Sequence, residues 1–116
     1  MDENIFIALA CIISPGAFSG ERVFRVKLAN SDFYIGISPR EFCWNDHGSL
    51  VEKNEPKPGS EIDGKIAARL LRTTEDGQLI VEVPDGQSIF VDREVVQKRP
   101  TRITVNSAVE NSYVLV

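Results

Sequence analysis

Residues 23–39, VFRVKLANSDFYIGISP, carry the pattern that decides the fold class. Phe24, Val26 and Leu28 alternate with Arg25 and Lys27. A half-buried strand has this period of two, because successive side chains point to opposite faces of a sheet. Ala29-Asn30-Ser31-Asp32 follows with turn chemistry, since Asn and Asp bond their own backbone and tolerate left-handed conformations. Phe33, Ile35 and Ile37 then alternate with Tyr34, Gly36 and Ser38, up to Pro39, which has no N–H to give a ladder. The segment predicts two strands and the turn between them.

The same signals recur on both sides. Residues 5–13 form a continuous apolar run bounded by Ser14-Pro15-Gly16, which reads as a buried first strand. A secretory signal would need positive charge before that run, where Asp2 and Glu3 stand, and a bilayer span would need about 20 apolar residues. Ala8-Leu9-Ala10-Cys11 matches a lipoprotein cleavage box only superficially, lacking both its Leu and a basic start. Residues 41–48 (EFCWNDHG) predict a short helical turn followed by a loop. Residues 52–60 (EKNEPKPGS) are the linker candidate. Residues 61–72 predict a long strand with Ile62, Gly64, Ile66, Ala68 and Leu70 on one face. A helix competes there, since residues 65–72 are largely good helix formers, and Gly64 with the turn-rich flanks favours the strand. Thr74-Glu75-Asp76-Gly77 turns the chain into Leu79, Val81 and Val83, and Pro84-Asp85-Gly86 turns it into Ile89 and Val91.

A slide of about 55 residues lays residues 7–28 over 62–83 with apolar on apolar, and brings Arg40-Glu41-Phe42 close to Arg93-Glu94-Val95. Two half-repeats, 5–42 and 60–96, joined by the linker at 52–60, are one reading of this match; the other is that any two amphipathic β-meanders align as well, since the period of two does most of the matching. Three strands cannot close a barrel, so both halves would share one core. Residues 1–96 make one compact β domain in this reading, and residues 97–116 an extension, either an edge strand or disordered. The fold class expected is all-β: a small antiparallel barrel, or a barrel-like pair of three-stranded meanders. Residues 58–96, a long strand, two hairpins and Val91-Asp92-Arg93-Glu94-Val95-Val96 as a 3-10 turn, resemble an SH3-like barrel in architecture. That likeness carries no family motif and implies no activity.

Composition agrees with an ordinary globular domain. The chain has 116 residues, 42% hydrophobic and 26% charged, which argues against disorder, collagen, a disulfide miniprotein and a multi-pass membrane protein. Thirteen Lys and Arg against 17 Asp and Glu leave a net charge of −4, which disfavours nucleic acid despite a cluster of Arg93, Lys98, Arg99 and Arg102. Two cysteines, Cys11 and Cys43, are too few for a disulfide framework and read as reduced thiols in a cytoplasmic protein.

Chemistry has one candidate, Cys43-Trp44-Asn45-Asp46-His47, where a thiol, a carboxylate and an imidazole crowd together. A cysteine-dependent enzyme or a metal site around Cys43 and His47 is one alternative reading, and a nucleic-acid-associated β-barrel, through Arg93, Lys98, Arg99 and Arg102, is the other. The first lacks a third orienting group, and structural zinc normally needs four ligands. Asp76-Gly77 and Asp85-Gly86 are hairpin turns rather than phosphate or calcium loops, and no cofactor motif is present. Phe33, Tyr34, Phe42 and Trp44 fall within twelve residues, and flat aromatics give large contact area at little entropy cost. Tyr34, Phe42 and Trp44 are the candidate binding residues. The expected function is a non-enzymatic interaction or assembly module, without cofactor or membrane, that binds a protein or peptide through a barrel face or strand edge. The terminal Val-Leu-Val resembles a C-terminal ligand for PDZ domains.

Overall fold

The computed structural model describes residues 5–96, and the backbone of residues 102–104 and 112–114. Lys98, Arg99 and the last two residues of the terminal Val-Leu-Val lie outside the described residues, as does the side chain of Arg102. The chain is all-β. Its strands are β1 (Phe6–Pro15), β2 (Glu21–Lys27), β3 (Phe33–Pro39), β4 (Cys43–Asn45), β5 (Ile62–Thr73), β6 (Leu79–Glu82), β7 (Ser88–Val91), β8 (Arg102–Thr104) and β9 (Ser112–Val114). They form an antiparallel sheet in the order β3-β2-β1-β5-β6-β7, nearly closed into a barrel, with β4 paired to β5. β9 pairs with β8 and touches β1 in parallel at Phe6 and Tyr113. Among the described residues, no helix is long and apolar enough to cross a membrane.

The centre of the sheet is the β1–β5 pair, in register from Phe6 against Arg69 to Ile13 against Ile62. Residues 62–73 are thus a strand despite their helix formers: Ile66 and Ala68 bury one face and Ala67 the other. Tertiary burial on both faces outweighs intrinsic propensity, which differs by only a few tenths of a kcal/mol among such residues. Ile7, Leu9 and Ile13 of β1, Phe24 and Val26 of β2, and Val81 and Val91 of β6 and β7 close one shared core. A second, smaller cluster covers the opposite face, where Trp44 packs with Ala8 and Ala67. Arg40–Phe42 and Arg93–Val95 each fold as a 3-10 turn at the end of a three-stranded meander.

One segment differs from expectation. Cys43–Asn45 is a strand rather than a loop: it pairs with β5, and a tight return brings Val51 N–H back to the Cys43 carbonyl at 3.0 Å. Asn45 organises that return, its Oδ1 accepting from His47 and Ser49 N–H at 3.0 and 3.1 Å, while Gly48 supplies the positive φ of 86°. The polar stretch at 52–60 begins as a loop strapped to the barrel. Arg22, in the inner row of β2 and only 3% exposed, reaches the carbonyls of Glu52, Lys53 and Glu55 at 2.8–3.0 Å.

Candidate functional site

The sheet edge at β3 reverses the simple rule that the bulkier apolar row faces the core. Gly36 and Ser38 are buried and Tyr34 is half-buried, whereas Phe33, Ile35 and Ile37 are 56%, 62% and 49% exposed. The inner space is already filled. A Cβ on Gly36 would lie 2.5 Å from Asp85 Oδ2 and 2.7 Å from Phe24 Cζ, so any larger residue there would have to displace the buried Phe24 ring. Ser38 is enclosed beside the Cys43 thiol at 3.6 Å. The apolar row is therefore left outside. Its cross-strand neighbours on β2 are Lys27, Arg25 and Val23, and the Arg25 guanidinium lies 5.7 Å from the centre of the Phe33 ring.

Backbone pairing tells which peptide groups of β3 are engaged. Leu28 N–H donates to the Asp32 carbonyl at 2.7 Å, and Arg40 N–H donates to the Gly20 carbonyl at 2.9 Å. Bonded and non-bonded pairs alternate in an antiparallel ladder, so Tyr34, Gly36 and Ser38 bond to β2. The N–H and C=O groups of Phe33, Ile35 and Ile37 therefore point to the other side, where β3 has no partner strand among the described residues. The seam toward β7 is pinned near the start of β3. Ala29 N–H donates to the Phe90 carbonyl at 2.9 Å, and the Tyr34 hydroxyl donates to the Asp85 carboxylate at 2.6 Å.

Tyr34, Phe42 and Trp44 do not form one surface. Tyr34 packs on the main core with its ring 6.0 Å from that of Phe24. Trp44 is 3% exposed in the second cluster, with Phe42 packed against it. Phe42 and Phe6 also line a shallow groove of about 230 Å³, whose rim carries the Arg69–Glu82 ion pair at 2.8 Å. Phe33, Ile35 and Ile37 were not among the expected binding residues. Their signal in the sequence was weak: a glycine and a serine in the opposite row, which make that row the one able to fit a crowded interior.

Desolvation and the Asp85 carboxylate beside it push the Tyr34 hydroxyl up to about 12. The folded chain then holds this proton more tightly than the unfolded one. The resulting stability is complete below the ordinary tyrosine value of about 10 and is lost as pH rises from there through 12. Wild type is expected to lose stability over that window more steeply than Tyr34→Phe in urea titrations. Equal slopes would show that the Asp85 contact does not hold the proton.

Cys43 and His47 are not brought together. Cys43 faces the core with no exposure, while His47 sits exposed in the turn after β4. Burial pushes the Cys43 thiol up to about 11, and burial together with the neighbouring Cys43 raises Cys11 well above its usual range. Both cysteines are free and buried. The rise from 9.0 to about 11 lowers the thiolate fraction near neutral pH by about a hundredfold. Cys43 in the folded chain is therefore expected to react with a disulfide reagent at least that much more slowly than in denaturant. Rapid labelling of Cys43 in the folded chain would reverse this assignment. Among the described residues, no three His, Cys, Asp or Glu side chains gather as a metal site. Compared with known proteins, the chain matches no family model, no curated protein and no solved structure.

Proposed function

We propose that this chain is a non-enzymatic interaction or assembly module that takes an extended protein segment as an added strand along β3. One observation carries the reading: Phe33, Ile35 and Ile37 combine edge peptide groups that have no partner among the described residues with exposed apolar side chains, on a strand without a single charge. Monomeric proteins usually blunt such an edge with lysine, a bulge or an inward charge, because it templates pairing with another chain. Strand addition supplies affinity through backbone bonds and specificity through alternate side chains. Two free, buried thiols fit a cytoplasmic setting. The succession of hairpins and the closing 3-10 turn support grouping the barrel with SH3-like architectures.

The test is selection from a displayed peptide library, followed by amide NMR of the chain with an enriched peptide. Shifts should concentrate on Phe33, Ile35 and Ile37, and Ile35→Lys, at an exposed position, should abolish binding while leaving the fold intact. Shifts centred instead on the groove at Phe6 and Phe42, or a monomeric chain for which the library enriches nothing, would overturn the proposal.

A further inference from the structure

The β3 edge has an internal symmetry that names its partner. Between Phe33 and Pro39 the strand carries no charge, and the two charges that flank it have opposite sign: Asp32, four residues before Gly36, and Arg40, four residues after it. An antiparallel ladder between two copies pairs residues whose numbers have a constant sum. With Gly36 opposite Gly36 of the second copy, Asp32 falls opposite Arg40, Ile35 opposite Ile37 and Phe33 opposite Pro39, each twice about the two-fold axis. Outer row meets outer row, so the apolar stripes of the two copies join into one, and β-branched residues face each other across the strands.

The backbone fits the same register. The open peptide groups belong to Phe33, Ile35 and Ile37, so Ile35 and Ile37 form the bonded pairs on both sides of the axis. Pro39, which has no N–H, falls at the ends of the ladder, where a missing donor interrupts nothing. Asp32 is exposed. Arg40 uses one guanidinium N–H on the Val51 carbonyl at 2.8 Å, and a guanidinium carries further donors that can meet a carboxylate. The clasp between Tyr34 and Asp85 is made by the inner row. A register centred on Ile35 would also match apolar rows, but it leaves both charges without a partner of opposite sign.

We infer that two copies of this chain associate edge to edge through antiparallel β3 strands, with the two-fold axis at Gly36 and an Asp32–Arg40 pair at each end. The contact is self-complementary, as a two-fold interface must be. The inference rests on the reading of β3 as a strand-accepting edge and specifies the strand that it accepts.

Sedimentation velocity of the full chain over a dilution series, with circular dichroism to check the fold, tests this directly. Wild type should dimerise reversibly, and Ile35→Lys should raise the dissociation constant by about tenfold or more. The register is read by complementation. Asp32→Lys and Arg40→Glu should each weaken self-association, whereas an equal mixture of the two should regain it as a heterodimer. One end of the ladder then pairs the introduced lysine with the introduced glutamate, and the other keeps the native Asp32 and Arg40. A mixture no tighter than its components would overturn the register. A wild-type chain still monomeric at about 0.1 mM would overturn the second copy as the occupant. If that monomer nevertheless binds library peptides in a manner lost in Ile35→Lys, the strand-accepting edge stands with a different partner. If it binds none, both fail.

Discussion

Replacing Arg22 with alanine is expected to lower stability by about 3–4 kcal/mol, and the melting temperature of this 116-residue chain by roughly 15 °C. Arg22 is 3% exposed, and its guanidinium satisfies all five of its N–H groups on backbone carbonyls. Nε donates to Glu55 at 2.8 Å; one terminal nitrogen donates to Ser19 and Glu21 at 2.8 and 2.7 Å, the other to Glu52 and Lys53 at 3.0 Å each. One side chain thus ties the β1–β2 turn and the loop after β4 to β2. Alanine removes charge-assisted bonds and leaves a cavity, and the loop at 52–55 loses its tie to β2, keeping the contact of Glu55 with Asn45. Lysine keeps the charge but has three donors on one point and cannot span the carbonyls, so Arg22→Lys should recover less than half of the loss. Differential scanning calorimetry of both variants measures this. A fall of only a degree or two for alanine would mean that water replaces the guanidinium at little cost.

Gly64→Val is expected to lower stability by about 3 kcal/mol, with Gly64→Ala changing it in the same direction by less. Gly64 lies on β5 where the strand is paired along both edges, opposite Cys11 on β1 and Asn45 on β4. A Cβ there would press against the Trp44 carbonyl, and would lie 2.5 Å from Ile13 Cδ1. The Ile13 methyl can turn away, but the carbonyl belongs to a paired strand and cannot. Accommodation therefore means separating β4 from β5, which loosens the cluster of Trp44, Ala8 and Ala67. Urea unfolding should show a lower midpoint with an unchanged slope. An unchanged midpoint would show that β4 is held too weakly to matter.

How much was legible varies from strand to strand. In β2, Phe24 and Val26 face the core as their alternation implies, because Arg25 and Lys27 cannot be buried without partners. In β5, Gly64 and the flanking turns pointed to a strand, and the long pairing with β1 made it one. The pattern in β3 was equally clear, yet its bulky row faces outward. Period two defines two faces but does not say which one has room, and that is decided by Phe24 and Asp85 arriving from elsewhere in the chain. Cys43 and His47 looked adjacent because they are close in sequence. A strand followed by a tight turn sends one into the core and the other into solvent.

By itself, the sequence determined the class of object: an all-β chain of alternating strands and short turns, with apolar content enough for one core shared by both halves. These properties are local, set by side-chain period, turn chemistry and composition. It took the packing of distant segments to set Arg22 inside a cage of carbonyls, to pack Tyr34 and Trp44 into separate clusters, and to leave Phe33, Ile35 and Ile37 along an edge with no partner strand among the described residues. Each of these depends on which distant segment occupies a given volume. Close packing grants that volume to one side chain and denies it to the next.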